Sequence, residues 1–278
     1  MSAKDIACLD VSYIYNAVLF LMIDVHCHLE QKDYDKDRQE VIDACKNELK
    51  AIITSCAHPR DFELTMKLID DNRGFVFCSC GIHPEYVKDV SEEQKKDFLC
   101  LLENKKEKIV SIGETGLDYW YIKKDEWRER QKILFVELIE MAKRLGKPLI
   151  IHSREVFGET LDVLESASAK NVDFHMWGDN SLTKRIIDNG WFVSMNTIIL
   201  KSKKHKKIVR DMPLDRLMLE TDSPWLAPER LSKCLNVRND PRAIKIVAEK
   251  ISEVKKLPFD EVWETCGKNA IKFFQLPL

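Results

Sequence analysis

Two histidines one residue apart close an apolar run near the start of the chain: Ile23-Asp24-Val25-His26-Cys27-His28-Leu29. On a β-strand, side chains at i and i+2 project from the same face, so both imidazoles can address one metal ion. Alone, the pattern also fits a strand end that carries two hydrogen-bonded core histidines. Its weight comes from recurrence, because Glu114, His152, His175 and Asp222 also stand at the ends of short strand-like runs, as do His58 and His83. Of the seven histidines only His205 lies elsewhere. Four imidazoles and two carboxylates are more ligands than one tetrahedral ion needs, and they suit two divalent ions sharing a bridging carboxylate. His26, His28 and Asp222 are assigned to one ion, His152 and His175 to the other, and Glu114 to the bridge.

Such side chains converge only if the elements carrying them share one end of a fold. After the opening strand, the spacing predicts a helix over 36–49, a strand over 51–56, a helix over 61–70 and a strand over 75–82. Ser91-Glu92-Glu93 marks a helix start, with that helix running to Asn104. A strand over 109–113 leads to Glu114, a long helix over 124–145 stops at Gly146, and a strand over 148–151 leads to His152. A helix over 156–166, a strand over 172–174, a short helix over 181–188, a strand over 191–195 and a helix over 203–210 follow. The eighth strand covers 216–220, and the chain from Pro241 onward reads as helix, broken at Pro258 and Gly267. Eight strands alternating with helices argue a parallel sheet with crossover connections. The expected fold is a single-domain (β/α)8 TIM barrel over residues 22–278, with an open doubly wound sheet as the alternative. A barrel sets every strand C-terminus on one mouth.

Composition limits the classes of function. The chain is 45% hydrophobic and 32% charged, yet its net charge is only −2; this excludes a surface built for indiscriminate nucleic-acid binding. Nine cysteines show no Cys-x-x-Cys pair and read as reduced thiols, so a cytoplasmic setting is expected. The apolar run Ala17–Ile23 is too short to span a bilayer and ends at Asp24. Residues 1–21 are read as an extension of unassigned purpose, with Met22 a possible alternative start; no membrane association and no obligate protein partner are expected.

The motifs resemble those of the TatD family of metal-dependent hydrolases, a branch of the amidohydrolase superfamily of TIM barrels. The matching stretches are IDVHCHL at 23–29, GIHPEYV at 81–87, IGETGLDY at 112–119, IHSRE at 151–155, HMWG at 175–178 and LMLETDSPWLAP at 217–228. RNDP at 238–241 and NAIKFF at 269–274 complete the order. The resemblance implies a deoxyribonuclease acting 3′→5′ on DNA with Mg²⁺ or Mn²⁺, Zn²⁺ also being a fitting ion, and it implies the six ligands assigned above. Two departures fall on the substrate side. His175-Met176-Trp177-Gly178 replaces a His-x-Phe-Ser-Gly-like turn, and the usual Arg-Gly-Lys before Arg238-Asn239 is missing.

Within that reading Asp222 serves as metal ligand and general base, and Arg154 is placed to grip a phosphate through its planar guanidinium. Glu155 beside it is the alternative partner. His83 is a candidate contact to a phosphate or leaving group, or else a His-Pro turn residue capped by backbone. Lys201–Lys207 holds five lysines and a histidine and reads as a solvated helix face. Tyr119, Trp120, Tyr121 and Trp177 are candidates to stack on a base or to pack at the rim. Two rival functions remain: hydrolysis of an ester or amide, such as an aminoacyl ester, at the same metals, and a non-catalytic metal-binding scaffold.

Overall fold

The computed structural model describes residues 22–228 and 238–278. Its frame is eight strands in the order β1 to β8, every hydrogen-bonded neighbour parallel. The strands are β1 Ile23–Cys27, β2 Ala51–Cys56, β3 Val76–Cys80, β4 Ser111–Asp118, β5 Leu149–Arg154, β6 Val172–His175, β7 Phe192–Met195 and β8 Leu217–Leu219. The helices are α1 Arg38–Lys46, α2 Phe62–Asp71, α3 Glu92–Asn104, α4 Asp125–Leu145, α5 Phe157–Ser166, α6 Thr183–Asp188, α7 Lys203–Asp211, α8 Ile244–Lys255 and α9 Phe259–Phe274. This is the (β/α)8 barrel expected from the alternation.

Loop backbone and buried side chains join the seam between β8 and β1. The Asp222 amide donates to the His26 carbonyl at 2.9 Å and the His28 amide to the Ser223 carbonyl at 2.7 Å. Thr221 donates its backbone N–H (3.0 Å) and its hydroxyl (2.5 Å) to the Asp24 carboxylate.

The alternation of strand side chains builds two apolar layers. Ile23, Val25, Ala51, Ile53, Ile150 and Met218 form one cluster with Phe273 and Phe274 of α9; the intervening residues Ile52 and Ile151, and Cys27 beyond a register slip in β1, join the larger cluster that includes the helices. Helix ends follow their local chemistry. Ser91 and Gln94 form a reciprocal capping box at the start of α3, and Gly146 closes α4 with φ 66°.

Several boundaries differ from the sequence expectation. β4 runs on to Asp118, so Glu114 lies inside the strand rather than after it. β5 likewise includes His152 and Arg154. Gly267 does not break the last helix; it is a buried residue within α9. Its propensity cost is ~1 kcal/mol, less than the burial of the Val262, Trp263, Cys266 and Ala270 face around it contributes. The 1–21 extension and the segment preceding Arg238 fall outside the described residues.

Candidate metal centre and its mouth

Two interruptions of strand register sit at positions of proposed ligands. β1 slips against β2 between Asp24 and Cys27, and β4 slips against β5 between Ile112 and Thr115. Bulges re-aim side chains. Here the first lies around His26, so that Val25 packs in the apolar cluster while His26 and His28 join the polar cluster above it. The second lies around Glu114. The glycine at 116 allows the strands to close: a Cβ there would stand 2.0 Å from the His152 carbonyl oxygen, at φ +141°.

The six proposed ligands come together around Glu114, which is 3% exposed. Its Oε2 faces His26 Nε2 at 3.4 Å and His28 Nε2 at 3.8 Å. Its Oε1 faces His152 Nδ1 at 3.0 Å and His175 Nε2 at 3.3 Å. Asp222 Oδ1 stands 3.5 Å from His28 Nε2 and 3.8 Å from His26 Nε2. Thus one oxygen of Glu114 addresses each imidazole pair, and Asp222 belongs with the first pair. The backbone of Asp222 is strained, with φ 56° at a non-glycine residue.

Behind the histidines stand three carboxylates that the sequence reading passed over. His28 Nδ1 meets Glu30 Oε1 at 3.1 Å, and Thr54 donates to the other Glu30 oxygen at 2.8 Å. His152 Nε2 meets Asp118 Oδ2 at 2.8 Å. His175 Nδ1 meets Glu220 Oε1 at 3.3 Å, where the Met176 amide (3.1 Å) and Asn196 (2.9 Å) also donate. Each outer carboxylate calls for a ring proton on the nitrogen it faces, which leaves a lone pair on the inner nitrogen. The inner lone pairs then oppose the oxygens of Glu114 and Asp222. Acceptors facing acceptors repel unless a cation lies between them, so this donor set fits divalent metal.

The electrostatics record the same concentration of negative charge, which a cation, proton or metal, must balance. Burial opposes ionisation of Glu114, but His83, His175, His26 and His152 around it hold its carboxyl well below the usual range. Burial is likewise outweighed at Asp222, which His28 and His175 hold low. In the converse sense burial lowers His175, yet Glu220 and Glu114 push it up to about 10. His28 and His152 are also raised against burial, by Asp222 and Glu30 and by Asp118 and Glu114 respectively.

His83 differs from these three. Its Nδ1 accepts from the Glu85 backbone N–H at 3.2 Å, so the ring proton resides on Nε2, which points at Glu114 Oε1 from 3.5 Å. Burial and neighbouring His152 lower its pKa to about 3. His83, which clusters with Glu114 and His152 with ligand atoms within 4.8 Å of one another, presents this Nε2–H as a donor to the mouth. It is also the backbone-capped His-Pro turn of the alternative reading. His58 makes the same cap to Arg60 and packs on Tyr86 with ring centroids 4.8 Å apart, without contacting Glu114.

The mouth is a cavity of about 420 Å³ whose wall includes His28, His83, Tyr121, Arg154, Asp222 and Trp225. Arg154 makes no ion pair among the described residues. Its guanidinium carbon lies 4.9 Å from the Trp120 ring centre and 5.3 Å from that of Tyr121, while Glu155 approaches Lys123 instead, at 3.9 Å. Tyr119 turns its hydroxyl to Glu159 at 2.8 Å. Trp177, 1% exposed, is a core residue packed on Phe157 and Phe174. In the Lys201–Lys207 run, His205 is buried against Ser202 and the lysines are largely exposed, as a solvated helix face requires. Arg238 and Asn239 serve structure: the first pairs with Asp37 at 2.7 Å, and the second donates to the Thr221 carbonyl at 3.0 Å.

Among the described residues no helix is long and apolar enough to cross a membrane. The seven described cysteines are free thiols.

Comparison with known proteins agrees with this architecture. The sequence profile described as TatD related DNase matches residues 23–275. The chain is 34% identical over 263 residues to the human deoxyribonuclease TATDN3, covering 91% of this chain and 94% of that protein. It is 34% identical over 258 residues to an uncharacterized metal-dependent hydrolase of Methanocaldococcus jannaschii, covering 91% and 96%. The crystal structure of YJJV, a TatD homolog from Escherichia coli, superposes with a TM-score of 0.83 at 24% identity, covering 94% of this chain and 100% of that one, and supports the fold.

Proposed function

Because the chain belongs to the TatD-related DNase family, whose members are metal-dependent hydrolases, we propose that it is a deoxyribonuclease that releases nucleotides from DNA 3′ ends. Two divalent ions are proposed to share Glu114, with His26, His28 and Asp222 holding one and His152 and His175 the other. The observation that carries the two-ion reading is the division of Glu114, one oxygen to each imidazole pair at 3.0–3.8 Å. The imidazole-rich set suits Mn²⁺ or Zn²⁺ better than Mg²⁺. When bound, such ions acidify water and draw charge from phosphoryl oxygens.

The remaining chemistry belongs to side chains. Asp222, held ionised, accepts the proton of the attacking water. His83 donates from Nε2 to a phosphate or leaving oxygen. Arg154, stacked on Trp120 and Tyr121 with no carboxylate partner among the described residues, offers its donors to a phosphate. Such a site grips backbone and reads bases weakly. We assign the activity to one domain over 22–278, with 1–21 as an extension, and place the protein in a reducing, cytoplasmic compartment on the strength of its free thiols.

The test strips the metal, reloads the protein with Mg²⁺, Mn²⁺ or Zn²⁺, and follows end-labelled single- and double-stranded DNA. Stepwise, metal-dependent shortening from the 3′ end is the expected result. Inertness on DNA with every metal, together with turnover of aminoacyl esters or small amides, would overturn the nuclease assignment.

A further inference from the structure

Large aromatic side chains left in water need a reason, and here the exposed ones share a location. Among the described residues the exposed aromatics are Trp120 (48%), Tyr121 (52%) and Trp225 (45%). The first two flank Arg154, and Tyr121 and Trp225 both line the mouth cavity. Trp225 is the one that adjoins the proposed metal ligands. Its ring centre lies 4.7 Å from that of His28, tilted by 59°, and it follows Asp222 by three positions.

The backbone that carries the indole is tied. The Trp225 amide donates to the Asp222 carbonyl at 3.1 Å, and the Asn239 amide donates to the Pro224 carbonyl at 3.0 Å. Asn239 also donates its side-chain N–H to the Thr221 carbonyl at 3.0 Å. The loop on both sides of Asp222 is therefore tied before any substrate arrives. The indole packs tilted against His28 and nearly half of its surface remains open, which a residue serving only as packing for His28 would bury.

We propose that Trp225 is a stacking platform for the terminal nucleobase of the strand being cut, a subsite that rests on the nuclease reading and specifies how the DNA end is held. Every base has a π-face, so the platform accepts all of them. Arg154 and His83 hold phosphate oxygens, while Trp225 fixes the sugar-base unit attached to them. A mouth of about 420 Å³ is in the range of small-molecule pockets, ~300–1,000 Å³, and suits one unstacked nucleotide rather than a duplex end.

The test is a cycle between protein and substrate. Two single-stranded oligonucleotides differ only in whether the 3′-terminal nucleotide carries a base or is abasic. On the normal end, Trp225→Leu, which keeps apolar packing on His28, should lower kcat/KM about tenfold, and Trp225→Phe should recover most of the loss. Removing the terminal base should cost the unsubstituted enzyme about the same factor and the Leu variant nothing further. Bound metal, measured by elemental analysis, should be unchanged in both variants.

Equal losses on both substrates, no loss on either, or loss of metal from the Leu variant would each overturn the platform and make Trp225 packing for His28 or a bystander. If the unsubstituted enzyme cleaves no DNA, the nuclease reading falls and the platform with it. That outcome is distinct, because it appears before any substitution is made.

Discussion

Asp118 gives the sharpest test of how the proposed centre is built. Its side chain is wholly buried. Oδ1 accepts the Tyr121 backbone N–H at 2.7 Å and Oδ2 meets His152 Nε2 at 2.8 Å, while Gln131 fixes the backbone on either side. Asp118→Asn keeps the shape but offers only one acceptor oxygen. If that oxygen stays with Tyr121, an amide NH₂ confronts the Nε2–H of His152. The ring then changes tautomer and carries its proton on Nδ1, the nitrogen 3.0 Å from Glu114 Oε1, and the inward lone pair is lost. A charge-assisted hydrogen bond of this kind is worth ~1.5–3 kcal/mol, equivalent to roughly 10- to 150-fold in a binding constant, and lost outer partners of metal-bound histidines cost a similar 10- to 100-fold. Competition of stripped protein against a chromophoric chelator measures the affinity directly, and the rise in Tm on adding metal gives a second readout. One ion should weaken by that factor while the His26–His28 ion is retained. Unchanged affinity for both ions would refute the tautomer argument and leave Asp118 a plain structural acceptor.

Four further outcomes follow from the same geometry. Glu114→Gln should lower the occupancy of both ions, because each oxygen serves a different imidazole pair; loss of a single ion by elemental analysis would make it a one-site ligand. Asp222→Asn should cut turnover by about 10²–10⁴, and near-normal kcat in the folded variant would remove Asp222 from the proton transfer. Arg154→Ala should lower kcat/KM on DNA by roughly 10- to 100-fold with full metal content; a loss of metal would contradict a role in phosphate contact. Gly116→Ala should depress Tm sharply or abolish soluble protein, since its Cβ would collide with the His152 carbonyl at 2.0 Å; a folded variant of unchanged Tm would show that β4 and β5 can separate locally.

The barrel was legible because its signals are local. Apolar runs, the Ser91 cap and the Gly146 stop each act within a few residues, and the alternation of strand and helix carries the topology. The convergence of the six proposed ligands was legible because a histidine or acid at a strand end is conspicuous once eight strands are aligned. What stayed hidden depends on distant partners. Asp118 meets a histidine 34 positions away and Glu220 one 45 positions away, and no periodicity reports such a pair. Glu30 lay closer to hand, since His28-Leu29-Glu30 continues the same i, i+2 spacing as the two histidines. Trp177 and Trp225 show another limit: one is 1% exposed and the other 45%, yet both directly follow strand-end motifs and nothing in residue type separates them. Gly267 misled for a related reason, because helix propensity is a weak cost that tertiary packing overrides.

Backbone strain at the mouth explains why so much buried polar structure surrounds so few reacting groups. Glu155 (φ 60°), Met176 (φ 46°) and Asp222 (φ 56°) are non-glycine residues in the left-handed region, each costing ~1–2 kcal/mol. They directly follow Arg154, directly follow His175, and coincide with the proposed base. Strained conformations of this kind persist only where the surroundings over-determine them, and here the determinants can be named. Met176 is tied through its amide to Glu220 at 3.1 Å. Asp222 is tied to the His26 carbonyl at 2.9 Å, and Thr221 before it is locked to Asp24 and Asn239. The Asp24–Thr221 contact is therefore more than a seam between the last strand and the first. It transfers the rigidity of the barrel to the one turn that carries the proposed base.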